Sequence, residues 1–455
     1  MVELRHLDIQ TFLNEQPFTK FQWRIFALSF FVVLLDGFDT GAVGFVAPSL
    51  IQQWGVTRPA LAPVLSAALF GLAAGALFAG PLADRLGRKI VLLVSVALFG
   101  AASLGGAFAM DLGQLTVWRF VAGIGLGAAM PNAVTLFSEY CPERSRAALT
   151  NAMFCGFPLG ASLGGLSSAW LIPQFGWRSI FVLGGVAPLL LVVFLLVWLP
   201  ESVRYLIAKG APTERVRLTL QRIAPVPAGV ESFDLRETVR AAARSGLSLV
   251  FSRSYFLGSL TLWVTYFMGL VIFYALINWM PILLKDAGLE PRQAALVSAL
   301  FPLGGVGAVA SGWLMDRFNA NRIVALGYGL TAIAMYAIGQ SVGQVGVLVL
   351  VVFIAGTLMN TSQSSLGSLA AAFYPTQGRA TGVAWMMGVG RFGGIFGSFL
   401  VAEMARRQFD FGTIFAIMAV PGLLACVALL LKQWATPEPT REASQVSEEP
   451  VAASH

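Results

Sequence analysis

A chain of 455 residues that is 57% hydrophobic, only 12% charged and has a mean hydropathy of +0.75 is not a soluble globular protein. The formal charge of +7 invites a nucleic-acid reading, but the basic residues lie in short hydrophilic segments between apolar runs, which excludes it. His6 and His455 are the only histidines and lie near the termini, so a histidine metal site or proton relay is excluded; Cys141, Cys155 and Cys426 form no ligand pattern.

The segment from Met1 to about Lys20 is polar, and the first apolar run is too long for a signal-peptide core, so the first span is expected to be retained. Apolar runs of about 20 residues predict twelve spans. They fall at 23–48, 60–81, 89–109, 112–136, 146–172, 178–199, 254–284, 292–315, 322–341, 344–371, 379–404 and 411–432. With the N-terminus inside, cytoplasmic segments hold roughly 22 of the Lys and Arg residues and outer loops about six, so both termini are expected to be cytoplasmic. The expected plan is a cytoplasmic segment 1–22, a six-helix half 23–199, a cytoplasmic loop 200–253 with one or two short surface helices, a second half 254–432 and a disordered tail 433–455.

The first span carries Asp36 and Asp39 in an otherwise apolar run. Three residues apart on a helix, they share a face with Thr40. Each costs roughly 2.5–3.5 kcal/mol near mid-bilayer, so a polar cavity, a cation or a proton must meet them. After the second span comes Gly80-Pro-Leu-Ala-Asp84-Arg85-Leu-Gly87-Arg88-Lys89. In this tight turn Gly80 would permit close helix approach, and Asp84 would cap a neighbouring helix or pair with a cation to bias a gate. Topogenic positive charge is the plainer reading.

Arg119 lies about seven residues into the fourth span and Asp39 about nine into the first from the same end, roughly 10 and 13 Å deep. A pair of Arg119 with Asp39 or Asp36 is therefore expected, against the alternative of a snorkelling Arg119. A nearby guanidinium favours the ionised carboxylate and dry surroundings the neutral acid, which makes this pair a proton switch. Glu139, at the inner end of the fourth span, is a second relay candidate or a merely solvated helix-end acid.

Gly312-Trp-Leu-Met-Asp316-Arg317-Phe-Asn-Ala-Asn-Arg322 echoes the first loop at an offset of about 232 residues, with Asn319 replacing a glycine. Pro142, Gly160 and Gly164 are likewise echoed by Pro375, Gly393 and Gly397. A parallel six-plus-six repeat places a substrate site near mid-membrane between the halves. Arg391, about twelve residues into the eleventh span and roughly 18 Å deep, sits among glycines and offers a bidentate fork for a planar carboxylate. The alternative is structural pairing with Asp36 or Asp39. Phe38, Tyr266, Phe267, Tyr274 and Trp385 could wall a ring, with Asn132, Asn278, Asn360 and Gln363 as polar partners. Asn278-Trp279-Met-Pro281 reads as a kinked gate.

The Gly80–Lys89 stretch resembles the loop 2–3 signature of the major facilitator superfamily. Arg119-Phe-Val-Ala-Gly123-Ile-Gly-Leu-Gly127 is similar to its fourth-span motif, and Pro200-Glu201-Ser-Val-Arg204 to its sixth-span ending. Asp36-Gly-Phe-Asp39 followed by Gly44-Phe-Val-Ala-Pro48 resembles the first span of the aromatic acid:proton symporter family. The resemblance implies an all-α integral membrane protein of two pseudo-symmetric six-helix halves in a bacterial inner membrane. It is expected to be a monomeric carrier, not an enzyme, with no nucleic-acid partner and no cofactor but the coupling proton. The implied activity is uptake of a small aromatic carboxylate, 4-hydroxybenzoate or protocatechuate foremost. Arg391, Asp36, Asp39, Phe38 and Trp385 would bind substrate; Asp36, Asp39, Arg119 and Glu139 would handle the proton; Gly80, Asp84, Arg85, Gly87, Arg88, Asp316 and Arg317 would gate. Benzoate, gallate or hydroxyphenylpropionate as substrate, a drug-efflux antiporter, a sugar porter and a chemoreceptor for aromatic acids are the rival readings.

Overall fold

A computed structural model describes residues 6–227, 230, 232–234, 248–307, 315, 317–374 and 376–433. A short strand β1 (His6–Asp8) and helix α1 (Ile9–Glu15) precede the long first span α2 (Lys20–Trp54). Then follow α3 (Ala62–Leu86), α4 (Arg88–Ala107), α5 (Leu112–Glu139), α6 (Glu143–Phe154), α7 (Gly156–Phe175) and α8 (Arg178–Trp198). The loop between the halves carries the two short helices α9 (Val203–Ala208) and α10 (Thr213–Leu220) and the strand β2 (Ser232–Asp234), which pairs in parallel with β1. The second half holds α11 (Arg253–Asp286), α12 (Pro291–Leu303), α13 (Ala320–Gln340), α14 (Val345–Phe373), α15 (Thr376–Arg406) and α16 (Phe411–Lys432).

Among the described residues 11 helices are long and apolar enough to cross a membrane. The twelfth expected span, the eighth in order, is represented by α12 and the turn Gly304–Gly307; its remainder, Asp316 included, and the tail from 434 lie outside the described residues. α2 starts on a reciprocal cap, in which Gln22 N–H donates to Thr19 Oγ1 at 3.4 Å and Thr19 N–H to Gln22 Oε1 at 2.8 Å. The expected fifth span is broken at Cys155 into α6 and α7. Pro158 has no N–H to offer the Phe154 carbonyl, so the i→i−4 ladder fails there.

The internal repeat is written into the packing. A Cβ on Gly123 would collide with the Ala68 carbonyl, and one on Gly356 with the Phe301 carbonyl. Gly160 presses on the Leu34 carbonyl as Gly393 presses on that of Phe267. Each member of the second pair of contacts lies 233 residues after its counterpart. Without a hydrophobic drive between helices in lipid, such backbone approach is what glycine permits and van der Waals contact rewards. Leu77, Phe78, Val94, Leu196, Val197, Ile333 and Val427 remain exposed, forming the surface that lipid would cover.

Candidate substrate and proton site

Asp39 is held entirely within the first half. Arg119 Nη1 donates to Asp39 Oδ2 at 2.9 Å and Nη2 to the Asp39 main-chain carbonyl at 3.0 Å. Ser103 Oγ donates to the other carboxylate oxygen. Both charged side chains are 1% exposed, and the guanidinium lies over the Phe181 ring, 5.8 Å from its centroid. A buried pair of this kind is coupled tightly enough that removing one partner costs about 3–5 kcal/mol.

Asp36, one turn earlier, is equally buried but nearly bare. Its hydrogen bond is from Thr40 Oγ1 at 3.4 Å. The charges that act on it are Asp39 and, across the gap between the halves, Arg391; Tyr274 is a further electrostatic neighbour. Among the described residues Arg391 makes no ion pair. It projects from α15 beside Tyr266 and Tyr274, in the stretch where Gly390 and Gly394 pack against those two rings. Thr40, Tyr274 and Asn278 line a small cavity with Leu65, Leu69 and Leu126. One acid is thus satisfied by its own half, while the other has Thr40 as its hydrogen-bond partner and Asp39, Arg391 and Tyr274 as electrostatic neighbours.

Among the described residues several contacts join the halves at one end. A Cβ on Gly44 would run into the Ile277 carbonyl. Asn278 Nδ2 donates to Ser398 Oγ at 2.8 Å and to the Leu65 carbonyl at 3.4 Å. Lys285 Nζ reaches the Pro48 carbonyl at 3.3 Å, and Arg58 Nε pairs with Asp286 Oδ2 at 2.8 Å. Arg292 lies over Trp170 at 5.4 Å. At the opposite end, which bears both chain termini, Gly80, Leu82 and Leu86 are exposed. The carrier is therefore closed at the Trp54/Asp286 end. Pro281, of the expected gate, lies inside a continuous α11 next to these contacts.

The Major Facilitator Superfamily pattern matches residues 29–398 and 288–455. The chain belongs to this superfamily. This facilitator is 50% identical over 430 residues to the 4-hydroxybenzoate transporter PcaK of Pseudomonas putida, covering 94% of the chain and 96% of that relative. It is 44% identical to the gallate transporter of Pseudomonas putida, covering 93% and 94%. Its fold matches the partially occluded inward open conformation of the xylose transporter XylE from E. coli with a TM-score of 0.72 at 18% identity, over 93% and 99% of the two chains. It is a multi-pass membrane transporter and not an enzyme.

Several predicted site residues of this facilitator stand elsewhere. Phe38 packs its ring on Gly184 of α8, beside the Asp39 carboxylate. Trp385 stacks on Trp263 at 5.9 Å and meets Phe251 at 5.5 Å; six residues from Arg391, it lies about 120° around the helix on another flank. Glu139 is buried at the terminus-bearing end, accepting from Ser202 and lying 3.6 Å from Arg88, far along α5 from Arg119.

The gating loop also differs from expectation. No atom lies within 4 Å of a Cβ on Gly80, so it makes no close helix approach in this state. Asp84 is 72% exposed and takes the second of its two expected partners, a cation, Arg88 of its own turn at 3.2 Å. The cap is Glu201, whose Oε1 accepts from the N–H of Lys89 at 3.1 Å; sequence reasoning noticed the Pro200-Glu201 ending without assigning it that contact. Gly87, at φ +101°, makes the turn, and a side chain there would strike Glu201. The Arg85 carbonyl accepts from Tyr205 Oη at 3.1 Å, and Arg88 sits over the Tyr205 ring at 5.8 Å. Arg317 is exposed at the matching place in the second half. The signal missed for the opposite end was the charge pair Arg58 and Asp286 flanking the first outer loop and the seventh span.

Proposed function

We propose that the chain imports a small aromatic carboxylate, 4-hydroxybenzoate or protocatechuate foremost, together with a proton. It works as a monomer in a bacterial inner membrane, with both termini in the cytoplasm and the Trp54/Asp286 closure facing outward. What supports this reading is that the buried Asp36 has Arg391 as an electrostatic neighbour, and that the glycines flanking Arg391 pack on the Tyr266 and Tyr274 rings. The names of the relatives, 4-hydroxybenzoate and gallate transporters, support the same substrate class.

The chemistry is an exchange of partners. In the empty carrier the Asp36 carboxylate and the Arg391 guanidinium neutralise one another across the gap. A substrate carboxylate takes over Arg391 through two parallel N–H···O bonds, and a proton then replaces the guanidinium on Asp36. The site is neutral empty and neutral when doubly loaded. With substrate or proton alone it carries one uncompensated charge, worth roughly 2.5–3.5 kcal/mol at mid-membrane, which disfavours closure and couples the two loads. Asp36 is the proton carrier because both oxygens of Asp39 are already engaged by Arg119 and Ser103.

The test is uptake of labelled 4-hydroxybenzoate into proteoliposomes under an imposed inward proton gradient, competed by benzoate, protocatechuate, gallate and glucose. Uphill uptake, blocked by the hydroxybenzoates and not by glucose, is expected. Gradient-driven export, or competition by glucose alone, would refute the reading.

A further inference from the structure

Gln363 is a half-buried side chain with one end of its amide unused. Tyr328 Oη donates to its Oε1 at 2.5 Å, and the Tyr266 phenol approaches the same carboxamide. Its Nε2, by contrast, is buried with no hydrogen-bond partner. An amide N–H₂ offers two donors and is costly to leave dry. The fold makes room for it deliberately: a Cβ on Gly269 of α11 would collide with Gln363 Oε1 and lie 2.5 Å from Tyr328 Oη. Gly269 stands 233 residues after Asp36, the same offset that relates the packing of the two halves. Where the first half presents a carboxylate to the central gap, the second half therefore presents a neutral carboxamide braced by two phenols. Gln363, Tyr266 and Arg391 are all partly exposed, and Gly390, next to Arg391, packs on the Tyr266 ring.

We propose that Gln363 reads the ring hydroxyl of the substrate whose carboxylate Arg391 holds, with Tyr328 as a positioning residue. This rests on the aromatic-carboxylate reading above. A ring hydroxyl both accepts and donates: it accepts from Nε2–H and can donate to the neighbouring phenol. Benzoate supplies no such atom and leaves the amide unpaired, which is how a site built to hydrogen-bond a hydroxyl rejects the analogue lacking it.

Calorimetric binding of 4-hydroxybenzoate and of benzoate to the purified full chain tests this. The native protein is expected to favour 4-hydroxybenzoate by about tenfold or more, and Gln363→Met to collapse that ratio by about tenfold, chiefly through weaker 4-hydroxybenzoate binding. Tyr328→Phe, which frees the amide without removing it, is expected to lower the ratio about threefold. Equal native affinities, or a parallel loss of both ligands in Gln363→Met, overturn the inference and leave the carrier reading intact. A native protein that binds neither ligand overturns both. If Gln363→Met does not fold, an unchanged ratio in Tyr328→Phe overturns it.

Discussion

Arg119 grips Asp39 twice, through the carboxylate at 2.9 Å and the main-chain carbonyl at 3.0 Å, and so ties α5 to α2 inside one half of the carrier. Asp36, a turn away on the same helix, is left with a single long hydrogen bond. Two acids that look interchangeable in the sequence thus have separate work, one holding a half together and one facing its opposite number.

Arg119→Ala should lower stability by about 3–5 kcal/mol, since it leaves the Asp39 charge buried without compensation. Asp39→Asn strands the guanidinium instead and should destabilise in the same direction. Thermal unfolding of the detergent-purified variants checks this. Melting temperatures equal to the native one for both would contradict the pairing.

Gly44→Trp should wedge the closed end apart, because even a Cβ there runs into the Ile277 main chain. The variant should be present in the membrane and fail in uptake. Spin-label distances between Thr57 and Glu290 should lengthen relative to the native protein. Unchanged distances with normal uptake would show that the closure does not depend on this contact.

Cys141, just past the end of α5, is fully buried, and burial pushes its thiol up to about 12. At pH 8 the thiolate fraction is then on the order of 10⁻⁴, so Cys141 should resist iodoacetamide in the folded protein and react on denaturation. The unfolded thiol loses its proton at lower pH than the folded one, so this group's contribution is present below pH 9 and is lost as pH rises towards 12. Mass mapping of alkylated peptides at pH 8 reads the result directly; rapid labelling of native Cys141 would refute it.

The parts of this arrangement legible in the sequence were those where a polar residue stood alone in an apolar run. Asp39 and Arg119 had matched depths, and Arg391 had glycine neighbours and a midplane depth, so their placement followed from the rise of a helix. The repeat was legible because Gly160 and Gly393, and Asp84 and Asp316, keep their spacing. Facing was not legible for aromatic residues. Phe38 adjoins Asp39 in sequence yet turns to α8, and Trp385 sits near Arg391 yet stacks on α11, because helical phase and neighbour identity decide these contacts. Gly80 and Asp84 were read as a latch, but a latch between moving halves has partners only in some states. Both are exposed here.

Asp36→Asn separates the two halves of the proposed exchange. An asparagine mimics the protonated acid, so the variant should still exchange labelled 4-hydroxybenzoate across proteoliposomes at equilibrium while losing all accumulation driven by a proton gradient. Uphill accumulation by Asp36→Asn at the native rate would contradict the assignment of the proton to Asp36.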